Sequence, residues 1–268
     1  MPSVSTSRRL PGSASKDFVN INNAVPERSE DSGQGLLKQS LLLALCLAWL
    51  AGCHSAPTQV DLGPPYEPIT EARADALMPL DVLNREPGVV RVTDNRGENE
   101  KPDTSTPIAP DTWQLRVADY WIVDVTRSPD GAILITNEAE LPEGQRVEYL
   151  NPLPMLPETL TLGEPLQSTT PINVYNHGPD SDALLTSGQC TQTLTLLGTR
   201  TINTPDGQIT ATLIQTQRKY KLPLVSVDIY ILTAYVPGQG PAAGINRRVI
   251  RFLGLLPVTI EQHIMRIR

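Results

Sequence analysis

Aromatic side chains are scarce, at 4% of the 268 residues, whereas proline and glycine are not, with 25 and 18 copies. A chain broken so often by residues that end helices does not form a helical bundle. The expectation is a mainly β protein. Cysteine is nearly missing. Of three, Cys46 and Cys53 lie in or just behind an apolar segment, and Cys190 stands alone downstream, so no internal disulfide can staple that region. Basic excess is missing too. A net charge of −7 repels phosphate backbones, and no Lys/Arg run overrides that average, so nucleic acid is not an expected partner. No P-loop, dinucleotide fingerprint or Gly-x-Ser-x-Gly elbow occurs, and no cofactor is expected.

What is present begins at Lys38. The run SLLLALCLAW from Ser40 to Trp49 is bounded by that lysine and by Leu50-Ala51-Gly52-Cys53. It is shorter than the roughly 20 apolar residues that span a bilayer, and it has no polar face, as a core helix would. Charge, apolar run, small residues and cysteine in this order resemble the bacterial lipobox. The resemblance implies that residues 1–52 are a signal peptide, that the Cys53 thiol receives a diacylglycerol and acyl chains such as palmitate, and that cleavage leaves Cys53 as the new N-terminus. It further implies a cell-envelope address, with the membrane as a partner through the lipid. His54 follows the cysteine where an Asp would favour the inner membrane, which points to the outer membrane facing the periplasm. About 35 polar residues precede Lys38, an atypical extension whose composition predicts disorder.

Residues 53–112 read as tether and linker. His54 to Pro68 is rich in proline and small polar residues, and needs no fold of its own. Thr70 is placed to cap a short helix over 71–84, with Leu77, Leu80 and Leu83 on one side and Pro79 interrupting it. Val89 to Thr93 suits a strand. Asp94 to Asp111 has almost no apolar residues and reads as a linker or exposed loop.

The compact domain is expected over 113–268, as an antiparallel meander forming a curved sheet or half-barrel. Ser128-Pro129-Asp130-Gly131 is turn chemistry between runs at 113–126 and 132–139. Asn151 to Pro157 carries three prolines and reads as an apolar crossover loop. Further strands are expected at 190–197, 208–217, 224–236, 245–253 and 258–267. The third alternates most clearly, with Val225, Val227, Ile229 and Ile231 on one face and Ser226, Asp228 and Tyr230 on the other.

Gly198, the turn Thr204-Pro205-Asp206-Gly207 and the run Tyr235-Val236-Pro237-Gly238-Gln239-Gly240, each leading into a strand, resemble a pattern of envelope β-sheet proteins with no assigned activity. That resemblance implies a fold rather than chemistry. By analogy with the curved sheets of lipoprotein carriers it implies an apolar ligand or envelope protein as partner, in a non-catalytic binding, scaffolding or carrier role.

One enzymatic alternative remains open. His177-Gly178 followed by Ser187-Gly188-Gln189-Cys190 resembles the L,D-transpeptidase signature, which implies Cys190 as nucleophile and His177 as base on peptidoglycan. Gln189 interrupts the motif, and Thr191-Gln192 replaces its hydrophobic residue and Arg. Cys190, Gln192, Leu194 and Leu196 also alternate along an expected strand, which makes Cys190 a buried structural residue. His177, Asp180 and Asp182 offer metal-ligand atoms without the spacing of a calcium loop, so no metal is expected. His263 is expected on an exposed strand face. Arg247, Arg248 and Arg251 are expected on a solvated edge.

Overall fold

A computed structural model describes residues 61–94, 97–117, 120–140, 144–176, 183–204, 207–253 and 255–266. Cys53, the apolar run before it, His177, Asp180 and Asp182 lie outside the described residues. The elements are β1 (Glu71–Arg73), α1 (Ala74–Leu77), α2 (Leu80–Leu83), β2 (Gly88–Asp94), β3 (Gly97–Ala109), β4 (Thr112–Val117), β5 (Trp121–Arg127), β6 (Ile133–Glu140), β7 (Gln145–Leu156), β8 (Thr159–Thr161), β9 (Leu166–Asn176), β10 (Leu184–Thr204), β11 (Gly207–Lys221), β12 (Val225–Val236), β13 (Gly240–Phe252) and β14 (Leu255–Arg266).

Twelve of these strands form a closed antiparallel barrel in the order β10-β11-β12-β13-β14-β2-β3-β4-β5-β6-β7-β9, while β1 and β8 pair separately. The meander is therefore present, but the expected curved sheet or half-barrel is corrected to a full barrel. Closure is made by β14, whose His263–Arg266 pair with Val90–Thr93 of β2.

Strand alternation decides which way each side chain points. On β10, Cys190, Gln192, Leu194 and Leu196 are buried inside, while Thr191, Thr193 and Thr195 face outward. On β11, Ile214, Thr216, Arg218 and Tyr220 point inward, against outward Gln215, Gln217, Lys219 and Lys221. The Thr, Gln and Lys outer faces of these two strands differ from the apolar outer band of a transmembrane barrel. No helix among the described residues is long and apolar enough to cross a membrane.

Twelve strands enclose more space than the eight whose interior side chains fill unaided. Part of the excess is taken up by α1 and α2, which place Ala74, Leu77, Met78, Val82 and Leu83 in the main core with Trp113, Leu156, Leu196 and Tyr235. The expected helix over 71–84 is thus two single turns. Pro79 stands at the N-cap of α2 and separates them, no side chain caps either helix, and Leu80 is exposed while Leu77 and Leu83 are buried.

The supposed linker from Asp94 to Asp111 is mostly β3, paired with β2 and β4 along its length. Its inward positions are polar: Asp103 pairs with Arg85, and Ser105 Oγ donates to the Leu83 carbonyl. Ladder hydrogen bonds do not need apolar side chains, so composition misled. The barrel accordingly begins at Gly88 and not near Trp113.

The run at 151–157 is also strand rather than crossover loop, since β7 continues to Leu156. Pairing of β7 with β9 ends at Tyr149, and pairing with β6 shifts register before Leu153 and Pro154. Pro152 and Pro154 thus fall where β7 has no β9 partner, and a missing N–H there costs nothing. The hairpin about Ser128–Gly131 forms as expected between β5 and β6.

The tether is docked from Asp61 onward. Asp61 bonds Arg200 at 2.6 Å, Leu62 is wholly buried against Ile202, Leu213 and Ala234 on the outside of the barrel, and Glu67 bridges Thr199. Gly198 permits this approach. Its φ is +124°, and a Cβ there would lie 2.4 Å from the Glu67 carbonyl oxygen.

Candidate functional site

The barrel interior is packed on one side and hollow on the other. On the packed side five strands deliver a buried polar network. Glu138 (β6) accepts from Arg218 Nη1 (β11) at 2.6 Å, from Tyr149 Oη (β7) at 3.1 Å and from Trp121 Nε1 (β5) at 3.2 Å. Arg218 Nε donates to Gln192 Oε1 at 2.7 Å, and Gln192 Nε2 donates to the Pro154 carbonyl at 2.6 Å. The Tyr149 and Tyr220 hydroxyls lie 2.6 Å apart. Burial opposes ionisation of Glu138, but the Arg218 guanidinium and the Trp121 and Tyr149 hydrogen bonds outweigh it and hold the carboxyl below its ordinary value. Burial likewise opposes the Arg218 charge, which Tyr149 and Glu138 more than restore.

Cys190 borders this network, fully buried, and burial pushes its thiol up to about 12. A neutral, enclosed thiol is poorly suited to nucleophilic attack. Its side chain packs in the main core with Leu194 and Tyr220.

The hollow side holds a cavity of about 310 Å³. Its walls are mainly aliphatic and aromatic, from Val90, Leu115, Val117, Trp121, Ile231, Ile260 and Ile264, with Glu138 and Arg218 at its inner wall. Gly244 leaves room: a Cβ there would meet only the Leu232 carbonyl oxygen, at an ordinary 3.5 Å. Two wall atoms, Asn246 Oδ1 and Arg85 Nε, are shielded from solvent and have no hydrogen-bond partner among the described residues. Beside α2 the cavity adjoins a surface groove, the two sharing Arg85, Pro241, Ala242 and Arg266.

Several expected positions are corrected. His263 is buried, not exposed, with Nε2 3.1 Å from Glu261 Oε1. Arg248 points into the barrel and is buried, because β13 alternation places it beside Ile229 and Ile260. Arg251 pairs with Asp228, and Arg247 is exposed as expected. Among the described residues no group of His, Cys, Asp and Glu could hold a metal ion.

No protein-family profile matches the chain, and no curated protein matches it. Among solved structures it is similar to the hypothetical lipoprotein YmcC from Escherichia coli, at 12% identity and a TM-score of 0.38, over 68% of this chain and 87% of that one. It is also similar to a provisionally named lipoprotein from Parabacteroides distasonis, at 11% identity and a TM-score of 0.34, over 67% of this chain and 92% of that one. Neither likeness bears on what the cavity holds.

Proposed function

We propose that this protein is a lipid-anchored component of the bacterial cell envelope whose barrel binds a small, mainly apolar molecule. The observation that carries the binding role is the cavity of about 310 Å³ inside the barrel, a size at the lower end of small-molecule sites. Mostly apolar walls with a few converging polar groups suit an amphipathic ligand. Each open atom, Asn246 Oδ1 and Arg85 Nε, costs about 1–3 kcal/mol when left without a partner, which a ligand's polar end would offset.

The anchor rests on the run from Ser40 to Cys53. Two or more acyl chains on Cys53 make release from a membrane negligible, and His54 favours the outer membrane. The polar exterior of the barrel suits a domain standing in the periplasm. Labelling cells with a fatty-acid analogue should mark the wild-type chain and leave Cys53→Ala unmarked and released; a labelled, membrane-bound mutant would contradict the anchor. For the binding role, native mass spectrometry of the full chain extracted from its own membranes should show a small amphipathic adduct. Gly244→Leu, which fills the cavity without a backbone clash, should remove it. An adduct unchanged by that substitution would place the ligand elsewhere.

A further inference from the structure

The charges that line the cavity cancel. They are three arginines, Arg85, Arg218 and Arg266, and three acids, Asp94, Asp103 and Glu138, so the wall favours neither sign. Arg85 is paired with Asp103 and Arg218 with Glu138. Arg266 donates to the Gln239 carbonyl at 3.4 Å and, like Asp94, is engaged within the protein. Arg248, also buried inside the barrel, is engaged as well and does not line the cavity. A charged head group entering here finds no waiting counter-ion and still loses its hydration.

What the wall offers a ligand is neutral. Register puts Thr216 of β11, Ile231 of β12, Asn246 of β13 and Gln262 of β14 in one row across the strands, all of them lining the cavity. Asn246 and Gln262 are direct neighbours, about 5 Å apart at the backbone. Asn246 Oδ1 has no hydrogen-bond partner among the described residues. A half-turn of the amide presents either its oxygen or its nitrogen to the cavity, and a hydroxyl, which both donates and accepts, pairs with either. Gln262 stands four residues from Arg266 on β14, about 13 Å along the strand. The row therefore lies inside the barrel, away from the groove.

We infer that the ligand is an uncharged amphiphile with a hydroxyl head group, held on the Asn246–Gln262 pair in the barrel interior with its chain along the aliphatic wall of Ile231, Ile260 and Ile264. An uncharged head is less costly to bury than an ion, and the amide pair replaces the hydrogen bonds it gives up in water. The inference rests on the reading of the barrel as a binding domain and adds the head group and its place.

The test displaces 1-N-phenylnaphthylamine from the full chain carrying Cys53→Ser, stripped of lipid on a hydrophobic resin, and reads only the fluorescence that Gly244→Leu removes. The ligands share one chain length: decan-1-ol, 1-chlorodecane, decanoate and decylamine. Decan-1-ol should bind at least tenfold more tightly than either charged ligand. Asn246→Leu should weaken decan-1-ol about tenfold and leave 1-chlorodecane within twofold, which also shows that the cavity survives the substitution. Gln262→Leu should separate the same pair in the same direction. A charged ligand that matches decan-1-ol, no displacement by decan-1-ol, or the two neutral ligands responding alike to both substitutions overturns the hydroxyl inference and leaves the binding role standing. Absence of any probe fluorescence that Gly244→Leu removes overturns the two together.

Discussion

The two halves of the barrel interior are built differently. From β6 to β11 the interior is filled, and Ile133, Ile135, Leu153, Ile172, Leu194 and Ile214 are almost completely buried. From β12 to β4 the inward positions include Gly244, Asn246 and Gln262, and the β14–β2 seam matches only four residue pairs. Dense packing fixes geometry, because filled interiors resist displacement. Thin packing leaves space and allows local opening. The difference assigns the first half to scaffold and the second to site.

The sharpest way to break the scaffold is Glu138→Ala, which leaves Arg218 buried without its carboxylate. A loss of about 3–5 kcal/mol in urea unfolding is expected; a loss under 1 kcal/mol would mean that the network carries no weight. Next, Leu194→Ala on the packed side should cost about 2–5 kcal/mol. Ile260→Ala on the hollow side should cost about 1 kcal/mol or less, since its neighbours already face open space. Similar values at the two positions would erase the distinction between the halves.

Titration probes the buried network, which reaches the cavity wall at Glu138 and Arg218. Glu138 is depressed in the folded state, so its contribution to stability is complete above its ordinary value of 4.5 and is lost as pH falls through the lower folded value. Cys190 and Tyr220 are raised by burial above ordinary values of 9.0 and 10.0, so stability should fall as pH rises beyond about 9. Urea midpoints measured from pH 3 to 11 should therefore decline at both ends. Glu138→Gln should flatten the acid limb and spare the alkaline one. One substitution should bring a gain: Gly244→Leu should add about 0.5–2 kcal/mol by filling space.

Much of the scaffold was legible in the sequence and little of the site was. On β12, Ile229 is buried and Tyr230 exposed, as the alternation implied, because period-two patterning is a local consequence of the pleat. The Ser128–Gly131 turn was readable for the same reason. Barrel closure was not, since β3 turns polar residues inward. The network was hidden by distance and by phase. Glu138 and Arg218 are 80 residues apart in sequence, and register shifts beside Asp124 and Ile135 place Glu138, not Asn137, on the inward side. Arg218 did leave a trace, since it falls on the same alternation as Ile214 and Tyr220. A cavity is missing volume, and no residue pattern announces it. Gly244, with room for a side chain, was the only local sign.

The claim that the hollow half is a binding site is tested most directly by titrating an apolar fluorescent probe, 1-N-phenylnaphthylamine, into the full chain and into Gly244→Leu at equal concentration. Saturable binding at one site in the wild type and none in the variant is the predicted result. Equal binding by both proteins would contradict it.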